Sequence, residues 1–329
     1  MITTLLSSNV VLLVLIAFGC FLLIKGADYL VDNASGLAKY FNVPALVIGM
    51  TVVAFGTSMP EFVVNVFASG AGNPTLALTN IYGSNFINVM VILGLSSVIY
   101  PIKSKPNSRK TDIPIAIGVS ILLLIFNLTG AVIAQLEGVI LLLCFCGFLY
   151  IQYKNSKDDF LDAIPDKEQN MNGENANKPI WKYILMILVG IGCLTCGGQI
   201  VVKSATALAL NLGISDAIIG LTIVALGTSL PELATSCVAA YKKDPDIALG
   251  NIIGSNIFNI LMVIGLSSVI LPLPVYDGVI VDGVMDIVAA ALVYLFVMTN
   301  KQHEIKRWHG IVLLMIYAGY LAFRITSIL

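Results

Sequence analysis

The sequence predicts an all-α integral membrane protein with ten transmembrane helices arranged as two inverted-topology repeats of five. Three observations support this prediction: a strongly apolar composition, apolar runs of spanning length, and two motifs that recur at one fixed offset. The 329 residues are 58% hydrophobic and only 11% charged, with a mean hydropathy of +0.93. Soluble globular domains carry about 25% charged residues, so the composition places the chain in a lipid bilayer.

Ten apolar runs are long enough to be membrane spans, because a helix needs about 20 apolar residues to cross a bilayer. The predicted spans are 9–31, 43–68, 76–99, 112–128, 132–153, 181–203, 214–240, 247–270, 280–299 and 308–328. The one long connection is polar, acidic and Asn-rich, which is typical of a flexible linker. It divides the chain into a first repeat (1–153), a linker (154–180) and a second repeat (181–329).

The distribution of basic residues predicts the orientation of the chain in the membrane, because cytoplasmic loops are enriched in Lys and Arg. When every second loop, beginning with 32–42, is assigned to the cytoplasm, these loops and their flanks hold 15 of the 18 Lys and Arg. The linker is then cytoplasmic and both termini are extracellular. The expected location is the cell membrane, with multiple passes. The net charge of −1 argues against a nucleic-acid partner, and no obligate protein partner is evident.

Two sequence blocks occur twice, each time 171 residues apart. "TVVAFGTSMPE" (51–61) recurs as "TIVALGTSLPE" (222–232), with 8 of 11 positions identical. "NIYGSNFINVMVILGLSSVI" (80–99) recurs as "NIIGSNIFNILMVIGLSSVI" (251–270), with 12 of 20 identical. Each half has five spans, an odd number, so the second copy must enter the membrane from the opposite side. Inverted repeats are common in transporters, where the ion site lies near the midplane at the repeat interface.

The first block is expected to break a helix beside a carboxylate. Pro60 has no N–H, so the carbonyl of Gly56 loses its helical partner, and the helix should loosen over 56–58. Free carbonyls are tolerated in a membrane where they line a polar cavity or a cation site. Glu61 lies one turn from Thr57, so its carboxylate and the Thr57 carbonyl can face one point. The same pattern is repeated from the other side by Gly227, Thr228, Pro231 and Glu232.

The second block supplies neutral oxygen ligands. Ser84 and Asn88 are four residues apart and share a helix face, as do Ser255 and Asn259. Asn85 and Asn256 are less well placed for that face. Gly83 and Gly254 are expected to allow close helix packing. Together with the two carboxylates, these hard oxygen donors suit Ca²⁺ and Na⁺, whereas Zn²⁺ or Cu would require His or Cys.

Other charged residues are expected to lie outside this site. Asp282 and Asp286 share a helix face near a predicted membrane boundary, and we do not expect them to bind the transported ion. His303 and His309 lie in or beside a predicted cytoplasmic loop and are expected to be solvated.

At these motifs the sequence resembles the cation/Ca²⁺ exchanger superfamily, in particular the prokaryotic Na⁺/Ca²⁺ exchangers (calcium/sodium antiporters). The resemblance rests on the two "GTS[ML]PE" motifs, the two "GSN" motifs and the ten-span pattern, so it covers nearly the whole chain. It implies a secondary active antiporter that works by alternating access and is not an enzyme. No cofactor is implied; the transported ions are Ca²⁺ and Na⁺.

The resemblance also implies roles for individual residues. Glu61 and Glu232 would bind both Ca²⁺ and Na⁺, together with the backbone carbonyls of Thr57 and Thr228. The Na⁺ sites would add Ser58, Ser84, Ser229 and Ser255 and the carbonyls of Ala54 and Ala225, while Asn88 and Asn259 would line the central position. The first and sixth spans (9–31 and 181–203) would form a moving gate pair.

One departure from the family pattern leaves undecided which ion is exchanged for Ca²⁺. Some archaeal exchangers carry Asp at the position of Asn259, so here the site holds two formal negative charges instead of three. Two carboxylates can neutralise one Ca²⁺ or take up two protons, which leaves Ca²⁺/H⁺ or other cation antiport as the alternative. The several hydroxyls and amides favour Na⁺, because protons do not need them.

Two other functional classes of membrane protein, enzymes and channels, fit the sequence less well. A membrane enzyme would need a catalytic constellation, and the chain has no HExxH motif, no plausible Ser–His pair at membrane depth and no cofactor motif. A channel is also conceivable, but two inverted broken helices around one acidic site fit alternating access better.

Overall fold

The computed structural model describes residues 9–41, 43–70, 75–162, 179–214, 219, 222–223 and 225–326. Twelve helical segments cover most of these residues. They are α1 Asn9–Phe41, α2 Ala45–Thr57, α3 Met59–Gly70, α4 Thr75–Ile99, α5 Ser108–Thr129, α6 Gln135–Asp162, α7 Ile180–Asn211, α8 Ala225–Gly227, α9 Leu230–Tyr241, α10 Pro245–Ile270, α11 Val279–Met298 and α12 Arg307–Thr326. Four two-residue strands lie between them: β1 Ile102–Lys103, β2 Val132–Ile133, β3 Leu273–Pro274 and β4 Glu304–Ile305.

The helices follow the predicted apolar runs and confirm an all-α membrane protein. Within the described part of the chain, seven helices are long and apolar enough to span a bilayer, and the bent pair α2 and α3 makes an eighth candidate. The apolar part of α12 is shorter (307–323), and the predicted span 214–240 lies partly outside the described residues. α1 extends well past the predicted end at 31. At 1.5 Å per residue its 33 residues measure roughly 50 Å, more than the ~30 Å hydrocarbon layer, so it must tilt or project.

Helix α6 also differs from its prediction. It continues to Asp162, so the first residues of the predicted linker 154–180 are helical. Residues 163–178 lie outside the described part of the chain.

The two helices that carry the Asn motifs form the centre of the molecule. In the apolar segment of α10, 94% of the residues are buried, and in that of α4 78% are buried. The corresponding share for α1 and α7 is only 28%, so these two helices lie at the periphery.

Peripheral helices α1 and α7 pack on each other through glycines. A Cβ on Gly26 would lie 2.8 Å from the Gly190 carbonyl oxygen, and one on Gly190 would lie 2.8 Å from the Gly26 carbonyl oxygen. Gly19 and Gly197 meet in the same reciprocal way, at 2.9 and 2.8 Å. Gly190 follows Gly19 by 171 residues, and Gly197 follows Gly26 by 171. The two contacts therefore join antiparallel helices at equivalent positions of the repeat.

Of the two GSN glycines, the structure supports close packing at Gly254. A Cβ there would lie 2.6 Å from the Cα of Met50, so α2 and α10 approach backbone to backbone. At Gly83 a Cβ would meet no heavy atom within 4 Å among the described residues.

Two short ribbons connect the loops of the two halves. β1 pairs antiparallel with β4, and β2 pairs antiparallel with β3. Each ribbon takes one strand from each half. Equivalent strands, such as β1 and β3, lie in different ribbons, as expected for two halves related by a two-fold axis.

Ion pairs link α1 to the loop after α9. The Lys242 ammonium lies 2.7 Å from an Asp32 carboxylate oxygen and 2.9 Å from one of Asp28. Burial disfavours the Lys242 charge, but the hydrogen bonds and charges of the two aspartates outweigh it and raise the pKa of Lys242 above its ordinary value. The peripheral helix is thus tied to the centre by charge as well as by packing.

We expect Gly190→Ala to destabilise the protein, because its Cβ would overlap the backbone of α1. Overpacking of this kind costs about 1–3 kcal/mol and should lower the thermal midpoint in detergent. The control is Gly192→Ala on the same helix, where a Cβ meets no atom within 4 Å among the described residues. Equal midpoints for the two variants would contradict the packing account.

Candidate functional site

The helix break predicted at the first motif is present. α2 ends at Thr57, Ser58 leaves the helical region with φ −84° and ψ 8°, and α3 begins at Met59, bent by 46°. Pro60 stands at the second position of α3, where its missing N–H costs little. The Ser58 carbonyl accepts the Phe62 N–H at 3.0 Å, which starts the new helix.

The second motif breaks its helix in the same way. α8 ends at Gly227, Thr228 and Ser229 form a turn, and α9 begins at Leu230. Ser229 has φ −86° and ψ 5°, close to the values of its counterpart Ser58. Both breaks thus present a Thr-Ser turn directly before a helix that carries a carboxylate in its first turn.

The two carboxylates lie together inside the protein. Glu61 and Glu232 are each 1% exposed, and they are near enough for their charges to repel each other. Contacts cross between the halves: the Ser58 hydroxyl donates to Glu232 Oε1 at 2.9 Å. The Thr228 side chain faces Glu61, and the Thr57 side chain faces Glu232. The residues at each helix break therefore contact the carboxylate of the other half.

Many buried oxygens on the helices and turns that carry the duplicated motifs have no donor in hydrogen-bonding geometry among the described residues. They are both carboxylate oxygens of Glu61, Oε2 of Glu232, the hydroxyls of Ser84, Ser229, Ser255, Thr228 and Thr235, and Oδ1 of Asn65, Asn88 and Asn259. Buried oxygens are normally satisfied, and each exception calls for an explanation. Hard cations of the Ca²⁺ and Na⁺ type supply what these oxygens lack.

Four asparagines form a network between α4 and α10. Asn88 Nδ2 donates to Asn256 Oδ1 at 2.9 Å, and Asn259 Nδ2 donates to Asn85 Oδ1 at 3.1 Å. Asn85 and Asn256 also donate to each other's backbone carbonyl, at 3.4 and 3.3 Å. The amide NH₂ groups of Asn88 and Asn259 are thus occupied, which leaves their Oδ1 atoms to the ion site.

This network explains the residues predicted to be poorly placed. Asn85 and Asn256 do not share the face of the serines; they hold Asn88 and Asn259 in orientation. The π-helices Asn88–Leu93 and Asn259–Ile264 begin at these two residues. The sequence patterns did not indicate them, although π-helical turns are frequent at functional sites.

The two halves differ around the threonines. Thr57 Oγ1 donates to Asn251 Oδ1 at 2.9 Å, and Asn251 Nδ2 donates to Ser236 Oγ at 2.9 Å. Thr228 Oγ1 faces Glu61 but makes no hydrogen bond of regular geometry with a described residue. Sequence reasoning missed Asn251, although its repetition as Asn80 in "NIYGSN" and "NIIGSN" could have indicated it.

The predicted carbonyl ligands are partly engaged. The Ala54 carbonyl accepts the Ser58 N–H at 3.0 Å. The Thr57 hydroxyl lies 3.3 Å from the same carbonyl, but its single proton is donated to the nearer Asn251 Oδ1 at 2.9 Å. Ala225 begins α8, and its side chain lies outside the described residues.

One expectation about other residues was wrong. His309 is 2% exposed, because its ring stacks on Phe296 with centroids 4.3 Å apart. Asp286 of α11 is also 2% exposed, and its Oδ2 accepts a hydrogen bond of 2.6 Å from Ser120 of α5; its position near a membrane boundary stays a prediction.

The donor set favours a hard cation over a transition metal. Among the described residues, no group of three or more His, Cys, Asp and Glu side chains converges. The site instead combines two carboxylates with hydroxyl and amide oxygens, the ligands that Ca²⁺ and Na⁺ take.

Comparison with known protein families identifies the chain. The model of the sodium/calcium exchanger protein family matches residues 11–154 and 182–326. The chain belongs to this family. The two matched segments correspond to the two halves that carry the duplicated motifs.

Individual relatives cover almost the whole chain. The putative antiporter CaxA of Alkalimonas amylolytica is 35% identical over 93% of this chain and 96% of its own length. The sodium/calcium exchanger MaX1 of Methanosarcina acetivorans is 31% identical over 93% and 96%. The solved structure of the sodium-calcium exchanger NCX_Mj soaked with 10 mM Na⁺ and zero Ca²⁺ superimposes with a TM-score of 0.81 at 32% identity, covering 96% of this chain and 99% of that one. The prokaryotic type of exchanger is thus the group this chain is similar to.

Because the hydroxyls of Thr57 and Thr228 have different contacts, we expect their removal to affect stability differently. Thr57→Val should lower the thermal midpoint in Na⁺- and Ca²⁺-free buffer, because it leaves Asn251 Oδ1 without its donor, at a cost of about 1–3 kcal/mol. Thr228→Val is the matched control and should cost less, since the Thr228 hydroxyl faces Glu61 without a hydrogen bond of regular geometry. Equal losses would contradict the assigned hydrogen bonds.

Proposed function

We propose that this protein is a secondary active antiporter that exchanges Na⁺ for Ca²⁺ across the membrane by alternating access. The observation that carries the proposal is the pair of buried carboxylates, Glu61 and Glu232, each at the start of a helix that follows a break. The same helices and turns carry further buried oxygens without donors among the described residues. A carboxylate within a membrane span is costly and marks a functional site by default. Membership of the sodium/calcium exchanger protein family supports the choice of ions.

The proposed architecture is ten transmembrane helices in two inverted repeats, 1–153 and 181–329, joined by the cytoplasmic linker 154–180. The equal 171-residue offsets, the reciprocal glycine contacts of α1 and α7, and the crossed pairing of the four strands support an inverted relation. Each ribbon joins loops separated by an even number of predicted spans, as two loops on the same side of the membrane must be. The excess of Lys and Arg in alternate loops supports extracellular termini and a cell-membrane location.

The proposed Ca²⁺ site lies near the midplane between the repeats. Glu61 and Glu232 neutralise the divalent ion, and the carbonyls of Thr57 and Thr228 add oxygens from the two breaks. Because Ca²⁺ takes six to eight oxygens, further ligands are needed, and the unpartnered hydroxyl and amide oxygens are within the same cluster of buried groups.

Na⁺ would use the same carboxylates together with neutral oxygens. We propose that these are the hydroxyls of Ser58, Ser84, Ser229 and Ser255 and the carbonyls of Ala54 and Ala225, with Asn88 and Asn259 lining the centre. Na⁺ and Ca²⁺ then compete for one set of charges, which is what antiport requires. The Ser58–Glu232 and Ala54 hydrogen bonds would have to rearrange when Na⁺ binds.

Alternating access is assigned to helices α1 and α7. Together with α6, they are the least buried of the long helices. They pack on each other through the reciprocal contacts of Gly19 with Gly197 and of Gly26 with Gly190. Small residues at an interface allow close packing with few interlocking side chains. A pair of this kind is suited to slide over a fixed core that carries the ion site.

Ca²⁺/H⁺ antiport is the second candidate. Two carboxylates accept two protons in place of one Ca²⁺, so the charges alone do not distinguish the mechanisms. The unpartnered hydroxyl and amide oxygens favour Na⁺, because a proton requires a single acceptor.

We predict that Glu61→Gln and Glu232→Gln each reduce Ca²⁺ uptake at least a hundredfold in proteoliposomes. Removing one member of a buried charged set costs about 3–5 kcal/mol, and about 1.4 kcal/mol corresponds to tenfold. The matched control is Glu137→Gln, at the start of α6, where the side chain accepts the Ala134 N–H away from the site. Uptake near that of the wild type in both site variants would refute the assignment.

The coupling ion is tested by comparing two gradients in the same proteoliposomes. We expect ⁴⁵Ca²⁺ uptake when Na⁺ is loaded inside, and little uptake when only an acid-inside pH gradient is applied. With three Na⁺ per Ca²⁺, one surplus positive charge leaves the vesicle, so an interior-positive potential should accelerate uptake. Uptake that follows the pH gradient alone would replace Na⁺ by H⁺ in the proposal.

A further inference from the structure

The peripheral helix α7 lies over both helix breaks. A Cβ on Gly56, near the end of α2, would lie 2.4 Å from Cδ1 of Ile191, and one on Gly227, at the end of α8, would lie 2.4 Å from Cγ2 of Val202. Helix α1 packs on α7 through reciprocal glycine contacts, so the two helices form one peripheral pair beside the breaks. Contacts that hold this pair against the core at one membrane face therefore restrict access to the carboxylates from that face.

Polar contacts hold α1 against the turn between α9 and α10. The Lys242 ammonium lies 2.7 Å from an Asp32 carboxylate oxygen and 2.9 Å from one of Asp28. The Ser35 hydroxyl donates to the carboxylate of Asp244. Positions 28, 32 and 35 follow helical spacing, so they share one face of α1. In the proposed orientation, this turn and the adjoining end of α1 both lie at the cytoplasmic face.

The turn that receives α1 is part of the core. The Lys242 N–H donates to the Val238 carbonyl at 2.9 Å. The Asp244 N–H donates to the Ala239 carbonyl at the same distance, and Asp244 Oδ1 caps α10 by accepting the Ile247 N–H at 3.2 Å. These bonds fix the turn to α9 and to the strongly buried α10. The contacts of the turn with α1 thus join a peripheral helix to the core that carries the ion site.

The ion pairs of Lys242 are exposed enough to break and form again. The side chains of Lys242, Asp28 and Asp32 are 27%, 30% and 63% exposed, so water can solvate each charge when the pairs separate. Ion pairs of this exposure change an equilibrium constant by up to about fivefold. That is weak enough for the contact to open during a transport cycle, and strong enough to bias two conformations of similar free energy.

The other end of the peripheral pair has no equivalent ion pairs. At the 171-residue offset of the repeat, the counterparts of the three charged residues are Gln199 for Asp28, Lys203 for Asp32 and Ala71 for Lys242. Gln and Ala carry no charge, and Lys203 forms no ion pair in the described part of the chain. Two inverted halves with the same contacts would favour openings to the two faces equally. Contacts present at one end only make the two conformations unequal.

We propose that Lys242, Asp28 and Asp32 form a latch that holds the cytoplasmic face closed and makes the apparent Ca²⁺ affinity differ between the two faces. This inference rests on the proposed function and orientation. The apparent affinity at a face is the intrinsic affinity reduced by the fraction of protein that is open to that face. Breaking the latch shifts protein from the extracellular-open to the cytoplasm-open conformation, so the apparent affinity falls outside and rises inside.

Ca²⁺ transport in right-side-out and inside-out membrane vesicles tests the latch. We expect Lys242→Met to raise the half-saturating Ca²⁺ concentration at the extracellular face and to lower it at the cytoplasmic face, so that the ratio of the two rises about fivefold. A purely structural role would move both concentrations the same way or change only the maximal rate. A rise of the ratio below threefold overturns the inference.

The matched control is Lys243→Met, which removes the same charge from the next residue. Lys243 is exposed and forms no ion pair in the described part of the chain, so the ratio should change less than twofold. An equal change of the ratio in both variants would mean that net charge at the face sets the affinities, and would overturn the inference.

Removing the carboxylates provides a second variant that breaks the same ion pairs. We expect Asp28→Asn combined with Asp32→Asn to raise the ratio to the same extent as Lys242→Met. Because the three residues belong to one interaction, the triple variant should raise the ratio no further. A triple variant in which the two changes multiply overturns the latch. The carboxylate variant alone decides where Lys242→Met fails to fold.

A distance measurement on the purified protein separates the latch from the proposed function. Spin labels are attached to Lys39→Cys, in the last turn of α1, and to Lys103→Cys of β1, both at exposed positions, in a variant without the six native cysteines. In Na⁺- and Ca²⁺-free buffer, Lys242→Met should raise the ratio of the longer to the shorter distance population at least threefold, and a smaller rise overturns the latch. Absence of wild-type Na⁺/Ca²⁺ exchange in vesicles would instead refute the proposed function, while the distances still decide whether the latch exists.

Discussion

Two negative charges held together away from water constrain the rest of the structure. Carrying a carboxylate into a low-dielectric interior costs several kcal/mol, and Glu61 and Glu232 also repel each other. Among the described residues the hydroxyl of Ser58 donates to Glu232, the side chains of Thr228 and Thr57 face the two carboxylates, and no Lys or Arg forms an ion pair with either of them. Bound cations or protons must therefore neutralise the pair, and the proposed site assigns that role to Ca²⁺ and Na⁺.

The repeat meets this need by using one device twice. A Thr-Ser pair at the end of one helix is followed by a second helix with Pro and Glu in its first turn, and the second copy of the motif places its own break beside the first. The cross-half contacts, such as Ser58 with Glu232, show why one copy alone is insufficient: each carboxylate is contacted by the turn of the other half. The symmetry is not complete, since Thr57 donates to Asn251 and Thr228 has no equivalent contact among the described residues.

The sequence was sufficient to predict the elements that depend on local pattern. Composition indicates a membrane protein, Pro60 and Pro231 predict the breaks, and the duplicated Glu residues predict the site. It was not sufficient where contacts join residues far apart in the chain. Asn85 seemed poorly placed from helix geometry alone, because its partners Asn256 and Asn259 come from the other half. The burial of His309 was not predicted, because it depends on the packing of its ring against Phe296 of another helix.

The formal charges explain what an amide at position 259 changes in the proposed site. Two carboxylates balance one Ca²⁺ but would leave one positive charge uncompensated if three Na⁺ were bound. A third carboxylate at the position of Asn259 would balance that charge directly, yet it would also repel Glu61 and Glu232 whenever the site is empty. The amide of Asn259 avoids that repulsion and still carries an oxygen without a donor among the described residues, so the proposed site keeps an oxygen ligand at this position without a third charge.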